Sequence, residues 1–525
     1  MNTNAYDVAI IGAGVNGLTA ATLLAKAGKR VIVLERRERV GGALVTEELI
    51  PGYRFDSVTS NAGWLSPALL RELELEKHGL ELLPEEESLV TPFTDGRALT
   101  IWPDLQRSYA SIRTHSPHDS QHWQPFTERM HKLAGFLAAL YAAPAPRPIG
   151  GGTRELLDMA LLGKRARALG KADMVELLRV LPMSVAELLD DWFDTDALKA
   201  ALGAGGVTGI QQGVRSAGTS FVLLHHHIGQ APGAFRMRQR FRGGVGALSE
   251  ALGKAARAAG AQIRLQADVT QIIVKNWTAQ GVLLGDAEAI GATTVLSSLP
   301  ARRTLVDLVD VAQLDPEFVH AVQNVRARGV QARLHFALHA TPSFRGVDAD
   351  ALRGVISVAP DLDYIERAYD NAKYGRASQA PVLEVRIPSL TDASVAPAGK
   401  HAMSVDVQYA PFRLRRGEWD EIESATLRDA VIKTLASHVP DLEATIADVR
   451  VLTPRDLSET YALPEGSCDY AELGLDQILF MRPLGELARY RTPVENLLLC
   501  GADTHPGRAL TGASGRLAAR ALLKG

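Results

Sequence analysis

The sequence predicts an α/β fold in three parts: a discontinuous domain around a parallel sheet, a mixed β-sheet domain, and a helical insertion. Three observations predict it. The chain opens on a strand–turn–helix–strand unit and closes on a strand–glycine–helix unit. Between them, a largely helical stretch from His115 to Gln230 precedes alternating runs between Arg328 and Phe412. The length allows this, since 525 residues make about three units of roughly 150 residues or one large composite fold. With 46% hydrophobic and 22% charged residues, the composition is that of a globular protein with a sizeable core.

Charge and termini exclude several roles. A balance of 57 Lys+Arg against 60 Asp+Glu lacks the basic excess that nucleic-acid binding calls for, so no nucleic-acid partner is expected. The two cysteines, Cys468 and Cys500, make no disulfide framework and no C-x-x-C pair. No secretory signal is readable, and no apolar run approaches ~18 residues, so a cytoplasmic protein, soluble or peripheral to a membrane, is expected. The basic stretch Gly163–Lys171 beside apolar Leu156–Leu162 fits either a solvated helix end or contact with anionic lipid. An oligomer stays open.

The opening unit carries the first chemistry. Tyr6–Ile11 reads as a buried parallel strand, Gly12-Ala13-Gly14-Val15-Asn16-Gly17 as a turn, Leu18–Gly28 as a helix, and Lys29–Leu34 as a second strand ending at Glu35. Gly12 permits a tight turn, Gly14 lets backbone approach a pyrophosphate, and Gly17 lets helix and strand pack closely. The helix start offers free N–H groups to phosphates. Glu35, 18 residues past Gly17, stands where a carboxylate accepts from ribose hydroxyls and would repel a 2′-phosphate. A dinucleotide site on a Rossmann-like domain follows.

After Glu35 comes Arg36-Arg37-Glu38-Arg39-Val40-Gly41-Gly42-Ala43, whose glycine pair lets a second backbone segment reach the pyrophosphate. This E-R-R-x-x-x-G-G arrangement resembles the FAD family that contains amine oxidases and phytoene desaturases. The resemblance implies FAD as cofactor, places Arg37 near the adenosine, and adds Arg36 and Ala43 to the binding residues. Gly52–Asp56 and the segment Ser57–Gly63, with Ser60, look like the family's return toward the flavin. Leu65–Leu83 reads as helix and Leu89–Trp102 as two short strands. The tract Ala142–Gly152 is the clearest linker. Gly203–Gly209 imitates a nucleotide loop, but it follows a helical pattern and no strand or acid follows it, so it reads as a helix end. Without a second dinucleotide site, electrons would leave the flavin to oxygen or a quinone.

Arg242–Leu248 opens a helix from Ser249 to Ala259, followed by strands Gln262–Leu265 and Val269–Val274. The block is similar to the phytoene-desaturase pattern, which implies that the backbone of Val269 meets the adenine. Thr294–Pro300 resembles the strand that re-enters the nucleotide domain. The alternating runs Gln331–Leu338 and Val382–Ile387 suggest an antiparallel sheet, which in this superfamily floors the substrate cavity. At the end, strand Asn496–Gly501 leads into Ala502-Asp503 and on to Thr511-Gly512-Ala513. A carboxylate at Asp503 suits a ribityl hydroxyl or the pyrophosphate region, and the helix start suits the oxygen edge of a flavin. This segment looks like the closing FAD motif of the phytoene-desaturase-like branch that includes pyridine nucleotide-disulfide oxidoreductase domain-containing proteins. Where the family has small glycines after His-Pro-Gly, this chain has Arg508-Ala509; the arginine either faces solvent on a loop or points toward the flavin or substrate entrance, and in the second case a long-polyene substrate is less expected.

The predicted organisation is therefore an FAD-binding domain in three parts (1–105, 236–300 and 481–525), a helical substrate cover (106–235) and a mixed-sheet substrate domain (301–480). The expected reaction is two-electron oxidation or desaturation of a hydrophobic small molecule, by hydride transfer to flavin N5, in an oxidase, dehydrogenase or desaturase. A flavin amine oxidase, a redox-neutral carotenoid-type isomerase and an FAD-stabilised interaction protein are the alternatives. No catalytic base is assigned, since the cofactor supplies the hard chemistry. Cavity candidates are Tyr470, His505, Arg508 and His226. No metal site is expected, because the consecutive His225-His226-His227 cannot all share one face of a helix or strand.

Overall fold

The computed structural model describes residues 6–84, 87–146, 160, 163–164 and 166–524. The chain opens with β1 (Tyr6–Ile11), the helix Val15–Lys26 and β2 (Val31–Leu34). A hairpin of β3 (Thr46–Ile50) and β4 (Tyr53–Asp56) follows, then β5 (Leu89–Pro92) and β6 (Ala98–Ile101). After the helices come β7 (Gln262–Arg264), β8 (Val269–Lys275), β9 (Thr278–Leu284) and β10 (Ala289–Ser297). The remaining strands are β11 (Gln331–Leu338), β12 (Val355–Val358), β13 (Val382–Arg386), β14 (His401–Gln408), β15 (Ile446–Leu452) and β16 (Leu497–Leu499).

Two large sheets organise the molecule. In the first, β7, β2, β1, β10 and β16 run parallel, so strands from both ends and the middle of the sequence meet side by side. β10 serves two partners along its length: its start pairs antiparallel with β9, and its end pairs parallel with β1 and β16. Strands buried on both faces need apolar residues throughout, and Val31–Leu34 and Leu497–Leu499 are fully apolar for that reason. The helix Val15–Lys26 lies between this sheet and the helices Gly246–Ala258 and Ala513–Leu523, which buries eight of its residues. Glycine permits the close approach: a Cβ at Gly515 would stand 2.0 Å from the carbonyl oxygen of Asn16.

The second sheet has the order β15-β11-β14-β13-β12-β5-β6, antiparallel except where β12 meets β5. Here one predicted boundary is corrected. β5 and β6 lie within the stretch assigned to the first FAD-binding part, yet they extend this second sheet, because Val90 pairs with Ile356 and buries in the same apolar core. One face of the sheet, with Leu334, Phe336, Val405, Leu383 and Ile356, packs on the helix Glu421–Ala436.

The helix expected over Leu65–Leu83 is split into Pro67–Glu72 and a short turn at Leu75–His78, with Glu74 at φ 54° between them. That turn lets Leu73, Leu75 and Leu80 all enter the core. The long helix Pro117–Tyr141 ends at Ala142, the start of the predicted linker, which continues beyond the described residues. The basic stretch Gly163–Lys171 is described except at Arg165 and is largely exposed, whereas its apolar neighbour Leu156–Leu162 lies outside the described residues apart from Ala160. Gly203–Gly206 closes the helix Asp196–Gly203, in agreement with its reading as a helix end. Among the described residues no helix is long and apolar enough to cross a membrane.

Candidate functional site

A cavity of about 570 Å³ opens at the carboxyl edge of the parallel strands, the position where sheets of this kind bind ligands. Its walls come from the turn after β1, the end of β2, the start of β8 and the segment before the last helix. Gly12 holds φ 91° and its N–H donates to the carbonyl of Leu34 at 2.8 Å, tying the turn to β2. A Cβ at Gly17 would stand 2.2 Å from the Gly12 carbonyl oxygen, so Gly17 sets the helix against the strand. Gly14 differs from both. Its backbone is extended (φ −72°, ψ 172°), and a Cβ there would meet no protein atom within 4 Å. That open space faces the cavity. The second glycine pair folds onto the same turn, with the Gly41 N–H donating to the Ala13 carbonyl at 2.9 Å and Gly42 packed on Gly14.

The cavity brings together most residues that the sequence singles out. Gly12, Gly14, Val15, Asn16, Glu35, Arg36, Arg37, Gly41, Gly42, Ala43 and Val269 line one part of it. Asp503, Thr511 and Gly512 line it too, with Tyr470 and Arg508. Four others stand behind the wall. Gly17 packs as described, Gly501 makes room for Asp503 and the Leu299 carbonyl, and Ala513 begins the last helix. Ser60 accepts a hydrogen bond from Arg238. His505 is a correction. It lines neither this cavity nor its neighbour; buried against Tyr141, with Nε2 3.0 Å from the Ala143 carbonyl, it packs on the end of the long helix, and burial lowers its pKa to about 4.

The polar groups on the wall test which ligand fits. Glu35 accepts from the N–H groups of Ala13 at 2.8 Å and Arg37 at 3.0 Å, which fixes the carboxylate at the end of β2. Arg37 pairs with Glu47 at 2.6 Å and lies over the Tyr461 ring, yet its Nη1 is buried with no protein partner. Asp503 accepts from the Ala301 N–H at 2.5 Å through Oδ2, while Oδ1 is buried without a partner. Burial pushes the Asp503 carboxyl up to about 6, against the attraction of Arg482. A free donor at Arg37, a free acceptor at Asp503 and bare backbone at Gly14 between them match an extended dinucleotide with a flavin at the Asp503 end.

A second, smaller cavity of about 120 Å³ adjoins the first, and Arg508 lines both. Trp64, Ile228 and Met237 supply apolar wall. His225 and His226 come from the end of the helix Thr219–His226; burial keeps His226 neutral down to about pH 4, and His225 bonds to the Tyr141 hydroxyl at 2.8 Å. The cavity also carries Arg333, Glu384 and Asp406 from the second sheet, which the sequence alone does not single out. The sequence assigns no role to Arg482 either, although the segment Leu475–Pro483 that holds it resembles the same family branch. Fully buried, it donates to the carbonyl oxygens of Asp469, Ala471, Gln477 and Ala502, and so ties the Tyr470 loop to the segment bearing Asp503.

Fold and site together define a flavin-dependent oxidoreductase class: a Rossmann-like dinucleotide cavity roofed by a sheet-floored second cavity. The chain belongs to the flavin containing amine oxidoreductase family, whose model matches residues 16–523. It is therefore an FAD-dependent oxidoreductase. It is 32% identical to pyridine nucleotide-disulfide oxidoreductase domain-containing protein 2 of Rattus norvegicus over 99% of this chain and 93% of that one. The lycopene-forming phytoene desaturase of Pantoea ananas is 26% identical, over 98% and 97%. Among solved structures, putrescine oxidase bound to putrescine superposes with a TM-score of 0.61 at 19% identity, over 99% of this chain and 98% of that one. That likeness is one of fold.

Proposed function

We propose that the protein oxidises an organic substrate by two electrons in the smaller cavity, and passes them to oxygen or a quinone. The bound flavin supplies the two-electron acceptor. The substrate loses a hydride and a proton; dioxygen takes up two electrons and two protons and leaves as hydrogen peroxide, or a quinone leaves as the quinol. One observation carries the reading: the second cavity meets the dinucleotide cavity at Arg508, beside the Asp503 end. The residues of the chain do the holding. Glu35 and Arg37 would bind the adenosine half, Gly14 and Gly42 would let backbone touch the pyrophosphate, and Asp503 would accept from the ribityl chain. Gly203–Gly209 offers no separate reductant site, since it lies at a helix end.

The test has two arms. Gly14→Val needs no backbone strain and its Cβ has no protein atom within 4 Å, so it should fold and melt like the stripped wild type yet retain no FAD. Full retention would refute the pyrophosphate assignment. Anaerobic mixing of the yellow wild type with amines, polyenes and amphipathic acids should bleach the flavin with the substrate class alone. Inertness to every class would refute the oxidation reading and favour an isomerase or an interaction module.

A further inference from the structure

The face of the second sheet that looks away from its apolar core is ionic. Four side chains stand directly opposite one another on neighbouring strands: Ser357 on β12, Glu384 on β13, Asp406 on β14 and Arg333 on β11. Arg236 and Arg238 reach Glu384 from the loop after the helical region, at 2.7 and 2.6 Å. Arg386, two residues along β13, pairs with Glu87 at 2.6 Å, and Arg333 pairs with Asp406. At the rim Arg240 adds to Glu87 at 3.7 Å, and Arg508 faces Asp469 at 3.6 Å. Of these, Arg236, Arg238, Arg333 and Arg508 line the smaller cavity together with Glu87, Glu384, Asp406 and Asp469. Alternation along a strand normally puts such residues in water, but here Arg333, Glu384 and Asp406 are all buried.

Among the four arginines that line the cavity, Arg508 has its charge compensated least closely. Its nearest carboxylate lies beyond hydrogen-bond distance, and its Nη2 donates to neutral groups, the Asn61 carbonyl at 2.7 Å and Thr59 Oγ1 at 3.3 Å. Its side chain keeps 22% exposure, against 5–8% for Arg236, Arg238 and Arg333. On the same cavity wall, His226 Nε2 is buried and has no partner. A partly exposed guanidinium in a low-dielectric pocket, with no carboxylate at hydrogen-bond distance, attracts an anion, and a planar one pairs well with a carboxylate.

We propose that the smaller cavity takes a substrate with a carboxylate, held by Arg508, and an apolar body against Trp64, Ile228 and Met237. The proposal rests on the reading of the adjoining cavity as the FAD site. It narrows the expected hydrophobic substrate to an amphipathic acid, because an all-hydrocarbon molecule would leave the Arg508 guanidinium dry with no carboxylate at hydrogen-bond distance.

The test is a titration of the FAD-loaded protein at low salt with hexanoate, hexylamine and 1-hexanol, read as perturbation of the flavin absorbance. Hexanoate should half-saturate at a concentration about tenfold or more below the other two. Arg508→Gln should weaken hexanoate about tenfold and leave hexanol unchanged, while Asp469→Asn, which removes the competing carboxylate, should tighten it several-fold. A merely structural Arg508 would not yield opposite signs for the two variants. Preference for hexylamine, equal response to all three, no response, or an unaltered Arg508→Gln overturns the proposal in a protein that is yellow. A protein that never takes up FAD overturns the parent reading, and this one with it.

Discussion

Asp503→Asn separates what the cofactor gains from what the folded chain loses at one atom. In the cofactor-free protein the Asp503 carboxyl is buried, with one oxygen on the Ala301 N–H and the other on nothing. Its pKa is raised from 3.8 to about 6. A carboxyl whose folded-state pKa is raised contributes stability that is fully present below about pH 4 and is lost as pH climbs through about 6. A rise of that size is worth about 3 kcal/mol, so stripped wild type should lose about that much between pH 4 and pH 8 through this group. Asparagine keeps the shape and an acceptor for Ala301 but cannot ionise. Stripped Asp503→Asn should therefore match wild type at pH 4 and exceed it by up to about 3 kcal/mol at pH 8. The loaded protein should show the reverse. Loss of a charge-assisted hydrogen bond weakens FAD binding by about 1.5–3 kcal/mol, roughly ten- to a hundredfold. The assay is thermal or urea unfolding of stripped and loaded forms across that pH range, with FAD affinity from fluorescence quenching. Coincident pH profiles of the two stripped proteins would refute the burial argument; unchanged FAD affinity would refute the placement of Oδ1 at the cofactor.

The remaining predictions concern the two arginines that frame the large cavity. Arg482→Met would remove the guanidinium donor of four buried carbonyl oxygens, of which that of Asp469 keeps the Ala471 N–H, so the protein should lose several kcal/mol in urea unfolding and release FAD as the Tyr470 loop detaches. An unfolding midpoint within error of wild type would contradict this. Arg37→Met removes the free Nη1 donor at the Glu35 end, so FAD and ADP should both bind about tenfold more weakly while FMN binding is unaltered. Equal losses for FMN would place Arg37 elsewhere.

How much of this was legible in the chain follows from how far each feature depends on distant residues. The turn at Gly12–Gly17 and the start of the last helix are local: glycine spacing and the strand–helix change dictate them within a few positions. Their meeting across nearly 500 residues could be inferred because each half is incomplete alone. The ionic floor was not inferred, for a physical reason. The alternation in Arg333-Leu334-His335-Phe336 and Ser404-Val405-Asp406-Val407 announces one polar face, but a period of two is silent on whether water or another layer covers that face. Only strand register, which pairs Arg333 with Asp406 and Asp406 with Glu384, turns isolated charges into a buried rung. His505 fails in the opposite sense. Its neighbours Gly507 and Arg508 do reach the cavity, but the chain turns between them, and the imidazole enters the space beside Tyr141 instead. The departure at Arg508 proved more informative than the matches around it. A bulky cation where the resembled family pattern calls for small glycines makes sense only if something at that wall compensates its charge, and Asp469, at 3.6 Å, does so incompletely. What the substrate brings to that wall is thus constrained by electrostatics before any substrate is known.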